Sequence, residues 1–395
     1  MENRLQKLHT RLCSCAVFRG VLSHPVFSLF GGYCFMCDEG VYAKMDAYAA
    51  FVAEIYASGG NLTELVQRVV FADENVYIKG MARKENINAH ILTAAERELK
   101  IFAEFAALTA EDFAADMGVL LDEIPAFDAF NADMGALYQE RLQNIQKYGY
   151  GIFSSHRMFR LSDEKAIEPI VSADKIAMDS FIGYEEQRDK VIANTRAFVE
   201  NRPAANTLLC GDAGTGKSST VKAVANAFFD EGVRLIELRK DQLCFLPYVM
   251  GKISGNPLKF IIFIDDLSFN QNDDNFSMLK AALEGSASAK ADNAVIYATS
   301  NRRHIIKESF GDREGDDVHV NDTLQETLSL SERFGLTVLY CKPDKRLYLE
   351  IVRCLAERFD VKMDVKELEI KAEEFALRKG NRSARCAEQF INSLL

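Results

Sequence analysis

Apolar positions recur every three or four residues through most of the first 150 residues, a spacing that predicts helices rather than strands. The clearest case is 41–57, VYAKMDAYAAFVAEIYA, where Val41, Met45, Tyr48, Val52, Ile55 and Tyr56 fall on one helical face. Gly59 and Gly60 end that helix, and Asn61 with Glu64 three residues on opens the next. Thr93 and Glu96 repeat the device before a long helix, AAERELKIFAEFAAL, and a further helix is predicted from Gly135 to Tyr148. No stretch here alternates as a sheet strand does. Residues 1–150 therefore read as a helical N-terminal domain, and 151–180 as a connector with one or two short strands around Phe153–Leu161.

Beyond residue 180 the pattern changes. Short apolar runs now alternate with amphipathic helices: TLLCG (207–211), RLIELRK (234–240), KFIIFIDD (259–266), AVIYATSN (294–301) and LTVLYC (336–341). An apolar run unbroken by polar residues is a strand buried on both faces. Five such runs with helices between them predict an α/β domain built on a five-stranded parallel sheet. Three amphipathic helices close the chain after residue 342.

The chemistry concentrates where TLLCG runs into a helix. Gly211-Asp212-Ala213-Gly214-Thr215-Gly216-Lys217-Ser218 fits G-x-x-x-x-G-K-[ST], in the order strand, glycine-rich loop, helix N-terminus. The glycines let backbone N–H groups turn around an anion, and the helix start adds partial positive charge. Lys217 can reach the outer phosphates of a nucleoside triphosphate, and the Ser218 hydroxyl can hold Mg2+, so the loop from Gly211 to Ser219 is the expected nucleotide-binding element. Upstream, Ile182-Gly183 precede a helix and can floor an adenine pocket. The run ending in Asp265-Asp266 brings two carboxylates to the carboxyl edge of the sheet. There Asp265 would hold the metal's hydration shell, and Asp266 would orient or deprotonate the attacking water. Asn301 ends its strand within reach of the γ-phosphate or that water. Arg333, at a helix–strand junction, points away from its own nucleotide and could serve a neighbour's, which demands head-to-tail contacts in an oligomer. Arg382 and Arg385 open the last helix, and either could fold back onto the phosphates.

Composition narrows the classes. The chain has 395 residues, 48% hydrophobic and 27% charged, and a net charge of −11, so it reads as soluble and globular with no broad electrostatic grip on nucleic acid. Between Ile101 and Glu140 lie nine acidic residues and no Lys or Arg, with Phe102, Phe105, Phe113, Phe127 and Phe130 among them. A solvated helical face over an aromatic core explains this stretch; docking of a basic partner is the sharper alternative. Nine cysteines in a chain this long do not suggest a disulfide scaffold, and a reducing cytoplasm fits. Cys13, Cys15, Cys34 and Cys37 form two close pairs that could converge on zinc, but the tight first pair and apolar surroundings favour buried free thiols. Arg4, Lys7 and Arg11 precede an uncharged stretch over 20–37, yet His24, Pro25 and Gly31-Gly32 interrupt it, so neither a leader nor a membrane contact is expected.

Strand, phosphate loop, acidic strand, Asn-ended strand, Arg-Phe-Gly and a closing helical segment together resemble the AAA+ ATPase module. The longer strings RLIELRKDQL, FIDDLSF, LKAALEG, YATSNRRH, SLSERFGL and RSARCAEQF are similar to one bacterial family, the "domain of unknown function 815", over roughly residues 165–395. The resemblance implies a three-layer P-loop domain over 181–342 with a helical lid over 343–395. It also implies ATP and Mg2+ as cofactors, Lys217 and Ser218 as phosphate and metal ligands, and Asp265 and Asp266 as the acidic pair. Asn301 would be a first sensor, Arg333 an arginine finger and Arg385 a second sensor. Two departures stand out. Most AAA+ proteins carry Glu where this chain has Asp266, and CFLPYVMGK lacks a plain aromatic–hydrophobic–Gly pore loop. The expected function is an ATPase that works as a homo-oligomer, with nucleotide sites at subunit interfaces, and remodels a macromolecular partner, with protein favoured over nucleic acid. The alternative is an ATP-binding switch or scaffold with little turnover. A small-molecule kinase lacks an acceptor pocket in this sequence. A nucleic-acid loader would draw on Arg302, Arg303 and Lys307.

Overall fold

The structure is a computed structural model that describes residues 3–36, 40–171, 176–267, 279, 283, 291–301 and 333–395. It divides into two compact units, Met1–Ser155 and His156–Leu395.

Among the described residues the first unit is helical, apart from one isolated bridge between Asn61 and Asp128. Its helices are α1 (Arg4–Cys13), α2 (Pro25–Phe35), α3 (Val41–Ala57), α4 (Leu62–Ala72), α5 (Val76–Ala82), α6 (Ala89–Ala106), α7 (Ala110–Met117), α8 (Met134–Gln143) and α9 (Ile145–Tyr148). Short polar side chains open them: Asn61 accepts from Glu64 N, Asn75 from Ile78 N and Asp133 from Ala136 N. Three expectations need correction. The buried face of α3 is Tyr48, Phe51, Val52 and Ile55, while Val41 (46%) at its start and Tyr56 (52%) at its end are exposed, so these two side chains face solvent. The long helix starts at Ala89, capped by Asn88, and Thr93 lies inside it, its hydroxyl donating to Ala89 O. The helix expected over 135–148 breaks at Asn144, whose φ of −111° is not helical.

The core of this unit is aromatic. Phe30, Phe51, Phe105 and Phe113 pack with ring centroids 5.0–6.3 Å apart. α2 lies in that core, with Val26, Phe27, Phe30 and Tyr33 buried, which accounts for its uncharged sequence. Among the described residues no helix is long and apolar enough to cross a membrane. Cys15 and Cys34 are buried and Cys13 is exposed; burial pushes the Cys15 thiol up to about 12. Cys37 lies outside the described residues, and no group of three or more metal-ligating side chains occurs among those described.

Glu98 is fully buried. The Glu98 carboxylate on α6 accepts from Ala16 N (2.8 Å), Val17 N (3.2 Å) and Phe18 N (2.9 Å), so it pins the turn after α1 to the middle of α6.

The second unit carries a seven-stranded sheet with strands β1 (Met158–Leu161), β2 (Ile167–Pro169), β3 (Thr207–Gly211), β4 (Val233–Leu238), β5 (Lys259–Ile264), β6 (Ala294–Ser300) and β7 (Leu336–Tyr340), in the order β2-β1-β4-β5-β6-β3-β7. The five expected strands are present and parallel. The sheet is larger than expected because the stretch read as a connector adds β1, parallel to β4, and β2, antiparallel to β1. Helices α10 (Glu185–Val199) and α11 (Lys217–Ala227) cover one face, where Val191, Phe198, Val221 and Val224 pack on Leu209, Leu235, Ile261 and Phe263. The alternate residues Leu208, Ile236, Ile262 and Ile264 are buried too, so both faces are covered. The run expected as one helix near Asp241–Ile253 is a 3-10 turn, Lys240–Phe245, followed by α12, Leu246–Ile253. Three helices, α13 (Lys345–Arg358), α14 (Val365–Lys379) and α15 (Ala384–Asn392), form a separate core around Tyr348, Val352, Ala372 and Phe390.

Strand order positions the chemistry. β6 lies between β5 and β3, with Ile264 level with Ala298 and Cys210 level with Ser300. Continuing each register by one residue sets Asp265 level with Thr299 and Asn301 level with Gly211, all at the carboxyl edge of the sheet.

Removing the Glu98 carboxylate leaves the buried Phe18 N–H, and the part-buried N–H groups of Ala16 and Val17, without this acceptor. Glu98→Ala should therefore lower the stability of the helical unit by at least about 2 kcal/mol. Urea unfolding, with hydrogen exchange read at Ala16, Val17 and Phe18, checks this; an unchanged midpoint and unchanged protection contradict it.

Candidate functional site

The loop after β3 is shaped by backbone crowding. Gly211 has φ +133°, and a Cβ there would stand 1.9 Å from Tyr340 O, so no other residue fits. Residues Ala213 to Ser219 then line a cavity of about 520 Å³. Lys217 is buried, and its ammonium donates to Gly211 O (3.1 Å) and Asp212 O (2.7 Å). Burial lowers its pKa from the ordinary lysine value of 10.5, partly offset by Asp212 and other nearby acidic groups. Thr215 Oγ1 donates to Asp212 O at 2.9 Å and tightens the loop. Two expected nucleotide contacts do not line the cavity. Gly211 is spent on its approach to β7, and the Asp212 carboxylate accepts from Lys342 N at 2.8 Å, the start of the segment leading into α13.

The acidic pair meets the loop across the sheet. Ser218 Oγ donates to Asp265 Oδ1 at 2.6 Å, and that oxygen also accepts from Thr299 Oγ1 (2.5 Å) and Asp266 N (3.1 Å). Asp266 has φ +52°, in the left-handed region; its N–H also donates to Thr299 Oγ1 at 3.0 Å and its Oδ1 accepts from Asn301 Nδ2 at 2.8 Å. Ser218, Asp265, Asp266 and Asn301 all line the cavity. The sequence reading missed Thr299, although its place two residues before Asn301 and level with Asp265 follows once the strand order is known.

The other wall comes from α10 and the closing helices. Ile182 and Gly183 line the cavity as expected; a Cβ on Gly183, φ +75°, would meet Leu347 Cδ1 at 2.6 Å, so the glycine admits the start of α13. Ile351, Leu355 and Arg358 line it from α13. Their i, i+4, i+7 spacing was a readable stripe that the sequence reading did not use. Arg188 was also missed: its guanidinium lies 5.8 Å from the Phe181 ring centroid and donates to Gly183 O. The two arginines near α15 separate cleanly. Arg385 lines the cavity and its N–H donates to Gly214 O at 3.3 Å, whereas Arg382 is held by Glu373 at 2.9 and 2.7 Å and is not a lining residue.

Arg333 stands three residues before β7, at the amino end of that five-residue strand. The loop lies at the carboxyl end, about 17 Å away by strand rise. Arg333 is half-buried, does not line the cavity, and is followed by the buried Phe334. Arg302, Arg303, Lys307, residues 329–332 and the helix expected over 274–285 lie outside the described residues, apart from Leu279 and Leu283.

Comparison with known proteins adds the following. Chaperone protein ClpB 2 of Parasynechococcus marenigrum (strain WH8102) is 26% identical over 207 residues, 48% of this chain but only 21% of that protein, so the chain spans about a fifth of this curated relative. The Thermotoga maritima RuvB Holliday junction branch migration motor is similar at 14% identity over 55% of this chain and 72% of that one, with a TM-score of 0.34. A substituted form of the same motor gives the same identity and score over 56% and 73%. The family described as "Protein of unknown function (DUF815)" matches residues 154–395, which contain the whole sheet, the loop, the acidic pair and the closing helices. The chain belongs to that family, and the matched residues carry the phosphate-loop pattern on a mostly parallel sheet.

Proposed function

We propose that the second unit binds ATP with Mg2+ in this cavity and hydrolyses it, and that the chain does so as a homo-oligomer acting on a protein partner. The observation that carries the reading is the pairing of Ser218 Oγ with Asp265 Oδ1 at 2.6 Å beside the phosphate loop. Both are hard oxygen donors, which suits Mg2+ and not a thiophilic metal. Mg2+ when bound neutralises charge on the outer phosphates. The chain's own groups do the rest. Backbone N–H groups of 213–218 wrap the phosphates, and the Lys217 ammonium leaves the Gly211 and Asp212 carbonyls to meet them. Asp266 orients the attacking water and accepts its proton, Asn301 fixes that carboxylate, and Arg385 reaches the phosphates from the lid. Ile182, Gly183, Ile351 and Leu355 make the apolar slot for the adenine.

Arg333 is the group the reading assigns to a neighbouring subunit, supported by its distance from its own cavity. The first unit then selects the partner. Exposed Leu120, Leu121 and Phe130 in its acid-rich stretch suit a basic protein segment better than nucleic acid. Cys13, Cys15, Cys210, Cys244, Cys341, Cys354 and Cys386 are free thiols, which supports a cytoplasmic setting. The second reading, a switch with little turnover, is favoured by one feature: the Asp266 carboxylate is engaged by Asn301, and Asp reaches less far than Glu.

Steady-state phosphate release separates the two readings. Sustained, Mg2+-dependent release from the wild-type chain is expected; ATP binding without release favours the switch. Arg333→Ala should cut turnover by about 1,000-fold while leaving ATP affinity within about threefold. Turnover at the wild-type rate in that variant removes the role in trans.

The lowered pKa of Lys217 sets a pH dependence. In the window from its lowered value up to 10.5 the unfolded chain binds more protons than the folded one, so this group's contribution to stability rises with pH there. A bound triphosphate restores the ammonium, so binding takes up a proton in the same window and ATP affinity falls as pH rises through it. Calorimetric titration from neutral pH upward, in buffers of different ionisation heat, measures this. Affinity and heat that do not vary with pH or buffer contradict it.

A further inference from the structure

The residue that links the two carboxylates is not one of the groups assigned above. Thr299 lies on β6, level with Asp265 at the end of β5. It is buried at 2% exposure. Three hydrogen bonds run from it to the turn after β5. Its hydroxyl donates to Asp265 Oδ1 at 2.5 Å and accepts from Asp266 N at 3.0 Å, and its carbonyl accepts from Leu267 N at 2.7 Å. A hydroxyl has one proton to give, and here Asp265 receives it while a lone pair takes the next residue's N–H. The β-branched side chain restricts χ1, so the hydroxyl is preset by the strand that carries it.

We infer that Thr299 is a positioning residue that holds Asp265 and Asp266 in their working geometry, and that the left-handed turn it supports is how this chain uses Asp at the second position; the inference rests on the ATPase reading. The physical chain is short. Asp266 has φ +52°, a conformation that non-glycine residues hold only when their surroundings fix it. Its N–H lies between Asp265 Oδ1 and Thr299 Oγ1, so two acceptors pull the backbone into that turn. Asn301 holds the side chain at the other end. Meanwhile Asp265 Oδ1 accepts from Ser218, Thr299 and Asp266 N, which fixes the plane of the carboxylate and leaves its second oxygen to face a cation. Without the Thr299 hydroxyl, Asp265 can rotate and the turn at Asp266 loses one of its two anchors. Both the metal ligand and the water-orienting group are then misplaced, though neither is removed.

The test compares Thr299→Val, which keeps the branched shape and loses both hydroxyl bonds, with Thr299→Ser, which keeps the hydroxyl. Turnover should fall between about 10- and 100-fold in Thr299→Val. The Mg2+ concentration for half-maximal turnover should rise several-fold, and affinity for a non-hydrolysable ATP analogue without Mg2+ should stay the same. Thr299→Ser should recover most of the turnover. Wild-type turnover and Mg2+ dependence in Thr299→Val overturn the inference and leave the ATPase reading standing. Equal losses in Thr299→Ser and Thr299→Val assign the effect to packing and also overturn it. A wild-type chain that binds the analogue but never turns over defeats the ATPase reading instead. Thr299 is then judged by the Mg2+ dependence of analogue binding, and an unchanged dependence in Thr299→Val overturns the inference. If Thr299→Val does not fold by circular dichroism, Thr299→Ala is read in its place by the same criteria.

Discussion

The hydrogen bond from the Ser218 hydroxyl to Asp265 spans two strand spacings, and the rest of the second unit is arranged to make it. β3 and β5 are not neighbours; β6 lies between them, so their carboxyl ends stand about 10 Å apart. Two side chains close that gap. The loop turns back over the sheet to bring Ser218 forward as the second residue of α11, and Asp265 follows β5 at the same edge. β6 fills the space between with Thr299, whose hydroxyl meets Asp265 from the intervening strand. The sheet, with both faces buried, holds three strand ends at one edge so that Ser218, Asp265, Asp266 and Asn301 line one cavity.

The closing helices are tied to the same loop in two places. Asp212 accepts from Lys342 N, just before α13, and Gly214 O accepts from Arg385 N at the start of α15. The loop that would hold phosphate is thus also in contact with both ends of the closing helical segment. A change in its charge reaches the helices through the backbone rather than through a long relay. The helical first unit has a different physics. Its core is built from closely packed, tilted aromatic rings and a buried carboxylate that accepts from backbone N–H groups.

Much of the second unit was legible because its signals are local. The apolar runs marked all five core strands, and the phosphate loop, the acidic pair and Asn301 lay at strand ends where an edge site needs them. What was missed depends on neighbours far along the chain. Thr299 looks like any β-branched strand residue until β6 is known to lie beside β5. Asp212 matches the loop pattern, but its carboxylate turns to Lys342, a contact that only the fold brings about. Arg382 and Arg385 have the same residue type three positions apart; the partner Glu373 on α14 takes one and leaves the other at the cavity. In the first unit helix existence was readable and helix ends were not. Asn88 displaced the Thr93 start, and Phe51 rather than Val41 faces the core, because burial follows the packing of α3 on α2 and α7.

The proposed activity requires a triphosphate held by the phosphate loop through Lys217. The most direct measurement is calorimetric titration of a non-hydrolysable ATP analogue with Mg2+ into the full chain and into Lys217→Ala. Saturable binding by the wild-type chain and a loss of at least about 100-fold in affinity in the variant are expected, in line with removal of a buried charged partner of phosphate. Equal affinity in the two proteins, or no binding by either, would contradict the proposed activity.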